Sequence, residues 1–121
     1  MPRIVHFEIP SNNPEKAKEF YEKVFGWKVT QWGNEQYFLC STGDKSEPGI
    51  DGAIMKKNGP DHPLVNTISV YNLPDAIKAV ESNGGVIVVP TMPVPGIGWL
   101  AYFKDLDGNI TGMMQNDPEA K

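Results

Sequence analysis

Cysteine is nearly absent from this chain, since Cys40 is the only one among 121 residues. A single thiol excludes an intramolecular disulfide and is typical of proteins in a reducing compartment. The first residues, MPRIVHFEI, do not form the charged head and apolar core of a secretory signal. No apolar run reaches the ~20 residues that a membrane-spanning helix needs. These features predict a cytoplasmic protein with no membrane partner.

Positive charge is also scarce, with 11 Lys and Arg against 15 Asp and Glu and a formal net charge of -4. An acidic chain without a basic stripe is repelled by a phosphate backbone, so we expect no nucleic acid partner. The chain does contain many turn residues, 12 Gly and 11 Pro, within an ordinary globular composition of 40% hydrophobic residues. This composition predicts a single domain over residues 1–121, built from short elements.

The first half of the chain predicts the element order β-α-β-β-β. Alternation from Ile4 to Ile9 predicts a strand with His6 and Glu8 on one face and Phe7 on the other. A helix should follow, capped by Asn13 at its start and ended by Gly26. Further strands are predicted over 27–32, 36–42 and 51–57. We expect four aromatic residues in the core: Phe7, Phe20, Tyr21 and Phe25.

The second half repeats this order after a cluster of turn residues at 58–63. Strands are predicted over 65–71, 86–89, 98–104 and 110–115, with a helix from Pro74 to Gly84 and a proline-rich loop over 90–95. Aligning the first strands of the two halves sets His6 opposite Thr67 and Glu8 opposite Ser69. The predicted fold is α+β, with two tandem βαβββ modules (about 1–58 and 63–117) forming a curved mixed sheet around a central cavity.

Four segments of the chain carry a family resemblance. They are VHFEI before a proline-led helix, FYEKVFGW at 20–27, Gly84-Gly85 before a strand, and FKDLDGN at 103–109. Together they resemble the vicinal oxygen chelate superfamily, which includes glyoxalase I, bleomycin-resistance and extradiol dioxygenase proteins. The resemblance covers essentially the whole chain and implies a small-molecule cavity and a homodimer, with the site within one chain or between chains. It does not name an activity, because this fold supports many chemistries.

The resemblance also implies where metal ligands would lie, namely on the first strand of each module and on the last strand. His6 matches the first position, whereas Thr67 and Gly112 stand where the other donors are expected. A divalent metal remains one interpretation, with Asp51 or Gln115 completing a set around His6 and Glu8. The other interpretation is a metal-free polar pair, because Thr67 is a poor ligand and Gly112 has no side chain.

Further candidates are assigned by residue type. His6 and Glu8 are also candidate acid–base residues if burial shifts their proton affinity. Cys40 is expected to be a buried structural thiol rather than a nucleophile. The turn before Trp99 either closes over a ligand or only reverses the chain. The candidate side chains for stacking on a flat ligand are Trp27, Trp32, Tyr37, Trp99 and Tyr102. The expected ligand-binding set is His6, Glu8, Thr67, Ser69, Trp99 and Tyr102.

Three functions are consistent with these observations. The first is a small-molecule-binding protein similar to glyoxalase and bleomycin-resistance proteins, without the usual complete metal site. The second is a divalent-metal-dependent lyase, isomerase or dioxygenase with an atypical ligand set. The third is a regulatory or interaction domain whose cavity has lost its ligand. Metal content, and its dependence on His6, distinguishes the first two.

Overall fold

The structure, a computed structural model, describes residues 1–121 as eight strands and two helices. The order strand, helix and three strands occurs twice, which confirms the α+β class and the two βαβββ modules. Residues 5–65 form one compact unit, and residues 1–4 with 66–121 form the other. The first module contains β1 Arg3–Ser11, α1 Pro14–Phe25, β2 Lys28–Gln31, β3 Tyr37–Ser41 and β4 Gly52–Lys56. The second contains β5 Val65–Ser69, α2 Leu73–Ser82, β6 Val86–Val94, β7 Gly98–Lys104 and β8 Ile110–Asn116.

The first module has a mixed sheet in the order β2-β3-β4-β1. Strand β1 runs parallel to β4, with Glu8 opposite Ala53. Strand β3 is antiparallel to both of its neighbours, β2 and β4. One face of this sheet packs against α1 through a core that contains Val29, Phe38, Cys40 and Ile54, with Phe7 and Ile9 against it. Because side chains alternate along a strand, His6 and Glu8 lie on the face opposite α1, as the sequence predicts.

Helix α1 begins and ends as the sequence predicts. The side chain of Asn13 accepts a hydrogen bond from the backbone N–H of Lys16 at 3.3 Å, and Pro14 occupies the first turn. Gly26 follows the last residue with φ 72°, a left-handed conformation that glycine adopts without steric cost. Both ends therefore follow local rules.

The prediction that Phe20 and Phe25 belong to the core is wrong, because they are 56% and 63% exposed. The helix turns Ala17 and Tyr21 toward the sheet, and Phe20 lies about 100° around the axis from Tyr21. At the end of the helix the ring of Trp27 stacks on Tyr21 with centroids 4.7 Å apart. Trp27 thus packs against the core just after the helix, whereas Phe25 stays exposed.

The second module has a mixed sheet in the order β5-β8-β7-β6. Strand β5 runs parallel to β8, while β7 is antiparallel to both β8 and β6. Helix α2 covers one face, and the core between them contains Leu73, Ala76, Ile77, Val80, Ala101 and Met113. Asn72 caps the start of α2 by accepting a hydrogen bond from the N–H of Asp75 at 2.9 Å.

Neither α1 nor α2 has the length and apolar character that a helix needs to cross a membrane.

The prediction of a proline-rich loop over 90–95 is wrong, because β6 continues to Val94. Proline has no N–H for a ladder and is tolerated mainly on edge strands and at bulges. Strand β6 is last in the order of its sheet, and its pairing with β7 shifts register between Ile87 and Val89 and again before Met92. The edge position and these irregularities explain how the strand accommodates Pro90 and Pro93.

Candidate functional site

Three polar side chains of the first module meet on the sheet face opposite α1. The hydroxyl of Tyr37 donates a hydrogen bond to Glu8 Oε2 at 2.7 Å. The same hydroxyl lies 2.9 Å from Nε2 of His6. Tyr37 reaches this face because the next residue of β3, Phe38, is buried in the helix-side core. We call His6, Tyr37 and Glu8 the polar triad; all three are half-buried.

The hydrogen bonds of the polar triad determine which nitrogen of His6 is protonated. A tyrosine hydroxyl has one proton, and here that proton is donated to Glu8. The hydroxyl oxygen must then accept a hydrogen bond from Nε2, so Nε2 carries the proton of the neutral ring and Nδ1 is unprotonated. Nδ1 makes no hydrogen bond within the protein, whereas every buried side-chain nitrogen and oxygen has a partner. It follows that Nδ1 is not buried. Nδ1 is therefore an acceptor that is open to solvent.

Burial favours the neutral ring that this arrangement contains. Desolvation lowers the pKa of His6 below its usual value of 6.5. The charges of Glu8 and Asp51 oppose this shift but do not cancel it. His6 is therefore held as a neutral imidazole under conditions in which a solvated histidine would be partly charged.

Apolar side chains lie beside the polar triad on the same face. The ring of Trp32 meets the ring of Tyr37 edge-on, with centroids 5.7 Å apart. Met55 lies directly opposite Tyr37 on β4, and Leu39 is two residues further along β3. Trp32 and Leu39 are exposed. We call Trp32, Leu39 and Met55 the apolar rim, because it offers flat and aliphatic surface next to hydrogen-bonding groups.

A cavity of about 260 Å³ opens in the loop before β4. Its carboxylates are partly engaged within the loop, since Asp51 Oδ1 accepts from the N–H of Thr42 at 2.9 Å and Glu47 Oε1 accepts from the N–H of Asp44 at 3.2 Å. Asp51 belongs to this cavity and also acts electrostatically on His6. The lining residues are Thr42, Gly43, Asp44, Lys45, Glu47, Pro48, Gly49, Ile50 and Asp51.

In the second module, three of the expected ligand-binding residues lie on the sheet face opposite α2. Thr67 and Ser69 are each only 4% exposed, and the hydroxyl of Ser69 contacts the sulfur of Met1 at 3.7 Å. Thr67 and Tyr102 both lie opposite Gly112, on the two strands that flank β8. A Cβ on Gly112 would lie 2.9 Å from Thr67 Oγ1 and 3.1 Å from Cε1 of Tyr102. Thr67 and Tyr102 thus occupy the space that a side chain at position 112 would need.

The chain is similar to known proteins in both sequence and fold. The model of the Glyoxalase/Bleomycin resistance protein/Dioxygenase superfamily matches residues 3–111. The chain belongs to this superfamily. A glyoxylase-like domain-containing protein of Didymella fabae is 28% identical over 113 residues, with 88% of each chain covered. The superfamily assignment confirms the resemblance that the four sequence segments carry.

Solved structures share the fold of this chain at low identity. Methylmalonyl-CoA epimerase from Mycobacterium tuberculosis superimposes with a TM-score of 0.72 at 14% identity, covering 95% of this chain and 88% of the other. A substituted methylmalonyl-CoA epimerase of Streptomyces coelicolor, in complex with 2-nitronate-propionyl-CoA, gives a TM-score of 0.71 at 16% identity and covers 100% and 99% of the two chains. At these identities the match shows a common fold and nothing about the substrate.

The residues at the metal positions of the superfamily do not fit a metal. Nowhere in the chain do three or more His, Cys, Asp or Glu side chains come together as a metal-binding group. His6 Nε2 and Glu8 Oε2 are both engaged by Tyr37, and Asp51 Oδ1 is engaged by Thr42. Gly112 offers neither a donor nor room for one. The usual three protein ligands are therefore not assembled.

Two further candidates of the second module lie on its helix side. Trp99 packs against the α2 core, and its Nε1 donates to Asp117 Oδ2 at 2.9 Å. Trp99 and Tyr102 are three residues apart on one strand, so they leave opposite faces of the sheet. Gln115 lies opposite Trp99 and accepts a hydrogen bond from the N–H of Leu73 at 2.7 Å. Trp99 therefore packs the helix, and Gln115 satisfies a backbone group at its first turn.

Tyr37 is the member of the site whose role the sequence did not reveal. Its aromatic ring made it a stacking candidate, whereas the structure shows a hydroxyl that joins His6 and Glu8. The signal in the sequence is the alternation of β3, in which buried Phe38 and Cys40 place Tyr37 on the other face. That signal gives the face but not the hydrogen-bond partners.

Proposed function

We propose that this protein binds a small molecule on the polar triad and apolar rim of its first module, without the complete metal site of the superfamily. The observation that carries the proposal is the pair of hydrogen bonds made by Tyr37. Those bonds hold His6 and Glu8 in defined orientations beside exposed apolar surface. A few fixed polar groups next to aromatic and aliphatic surface are typical of small-molecule sites, where the polar groups orient the ligand.

The two parts of the site make different contributions to ligand binding. Trp32 and Leu39 remain exposed in the structure, so covering them with a ligand removes apolar surface from water. Nδ1 of His6 is an open acceptor, and a ligand donor would satisfy it. The apolar rim would therefore supply most of the affinity, and the polar triad would supply the orientation.

Membership of the superfamily supports a small-molecule function but does not select the ligand. The related structures of methylmalonyl-CoA epimerase include one with a bound acyl-CoA analogue, which belongs to that protein. For this chain the metal-dependent alternative has less support, because the described residues do not assemble three ligands. Metal analysis of untagged protein tests that alternative: stoichiometric metal that is lost in His6→Ala would favour it.

Homodimer formation and a cytoplasmic location are the remaining parts of the proposal. The first rests on the family resemblance, and the second rests on the sequence. Light scattering on size-separated protein tests the first, with twice the 13.4 kDa chain mass as the expected result. A monomer at micromolar concentration would contradict it.

The direct test is native mass spectrometry of untagged protein purified from cells, with small molecules then released and identified. We expect the wild-type protein and a Tyr71→Phe control to retain the same molecule, because Tyr71 is 78% exposed and lies in the other module. Tyr37→Phe should retain much less of it. Equal retention by Tyr37→Phe and the control would show that the polar triad is not the binding site.

A further inference from the structure

We propose that the ligand is a neutral or cationic molecule that donates an N–H or O–H hydrogen bond to Nδ1 of His6 while its apolar part covers Trp32. This inference rests on the proposed function and adds the chemical class of the ligand. It follows from three features of the first module: the direction of the hydrogen bonds, the sign of the nearby charges and the composition of the apolar rim.

The direction of the hydrogen bonds is set at Glu8. An ionised carboxylate only accepts hydrogen bonds, so it orients the Tyr37 proton toward itself. Tyr37 then accepts from Nε2 of His6, and Nδ1 is left as an acceptor. A ligand group that meets Nδ1 must therefore supply a proton. Carbonyl, ether and carboxylate oxygens have none to offer, and each would leave two acceptors facing one another.

The nearby charges are mainly negative. Glu8 and Asp51 both act on the His6 ring. Asp44 and Glu47 line the same loop cavity as Asp51, and Lys45 is the single cation in that lining. Like charges at short range in a partly desolvated site are unfavourable, so the field disfavours an anionic ligand. It permits a neutral molecule and favours a cation.

The apolar rim restricts the rest of the ligand. Trp32 presents an exposed indole edge-on to Tyr37, and Leu39 continues the exposed surface along β3. A planar apolar group fits such a surface because it buries area without losing internal freedom. Indole is a suitable probe, since it is planar, neutral and carries one N–H donor.

The proton arrangement is tested by long-range ¹H–¹⁵N spectra of the histidine rings at pH 7.5. The chain has 2 histidines, so a His62→Gln variant assigns the signals. We expect Nδ1 of His6 to be unprotonated and Nε2 to be protonated. This preference should weaken in Tyr37→Phe and persist in Tyr71→Phe. A protonated Nδ1 in the wild-type protein would overturn the inference.

The ligand class is tested by titrating three probes: indole, 1-methylindole, which lacks the donor, and indole-3-acetate, which adds a negative charge. We expect indole to bind about tenfold more tightly than 1-methylindole, and indole-3-acetate to bind more weakly than indole. The first difference should disappear in Tyr37→Phe. Equal binding of all three, or no binding of indole, would overturn the inference. A donor-free anion retained from cells would also overturn it, yet would leave the proposed binding function standing.

Discussion

Replacing Tyr37 with Phe removes one oxygen atom and thereby separates the two ends of the polar triad. The ring and its contact with Trp32 are retained, so little apolar packing is lost. His6 loses the acceptor for its Nε2 proton, and Glu8 loses a donor at 2.7 Å. The change therefore tests the hydrogen bonds of the site separately from its shape.

The size of the effect can be worked out from these two bonds. A hydrogen bond between neutral groups contributes about 0.5–1.5 kcal/mol net, and one to a charged group about 1.5–3 kcal/mol. Because His6, Tyr37 and Glu8 are half-buried, water can partly replace the lost hydroxyl. We therefore expect the free energy of unfolding to fall by about 1–3 kcal/mol, which is below the simple sum.

The assay is urea unfolding at pH 7.5, followed by tryptophan fluorescence. Tyr71→Phe is the matched control, because it removes the same atom from a side chain that is 78% exposed. The control should change the free energy of unfolding by less than about 0.5 kcal/mol. If Tyr37→Phe and Tyr71→Phe were equally stable, the hydrogen bonds of the triad would not be as described.

Three other perturbations give results of defined sign. Gly112→Ala should lower the free energy of unfolding by about 1–3 kcal/mol in a urea titration, because its Cβ would lie 2.9 Å from Thr67 Oγ1. Adding Thr67→Ala should relieve part of this loss. A Gly112→Ala protein more stable than the wild type would refute the crowding. Burial lowers the pKa of His6, so the unfolded state binds the proton more readily than the folded state. The free energy of unfolding should therefore fall as the pH drops below 6.5. The fall should be smaller in His6→Gln, and identical pH profiles of the wild-type protein and His6→Gln would contradict this. Burial raises the pKa of Cys40 to about 11. Iodoacetamide at pH 8.5 should therefore modify Cys40 slowly in the folded protein and quickly once urea unfolds the chain. Rapid modification of the folded protein would show an accessible thiolate and contradict this.

Local rules were sufficient to predict most elements of this fold, and the continuation of β6 to Val94 is the exception. Alternation in β1 placed Phe7 toward the core and His6 with Glu8 on the opposite face, and the structure agrees. The caps at Asn13 and Gly26 depend on neighbouring residues alone, so they too were predictable. The repeat of the βαβββ order followed from the positions of helix caps and turn residues, even though few residues are identical between the halves.

The contacts between elements were not predictable in the same way. Tyr37 reaches Glu8 because β4 lies between β3 and β1, and because the register sets Tyr37 opposite Met55 and Glu8 opposite Ala53. No pattern within one strand encodes a register that involves three strands. The burial of Phe20 was not predictable from its residue type either. Its apolar side chain suggested burial, but the orientation of the helix about its axis leaves it exposed.

The position of the binding site is the central claim, and a crystal structure of protein that keeps its ligand from the cell tests it most directly. We predict ordered ligand density on the first module, with a donor atom about 3 Å from His6 Nδ1 and an apolar group against Trp32. An ordered ligand elsewhere, or a metal ion coordinated by His6 Nε2 in place of the Tyr37 hydrogen bond, would contradict the account.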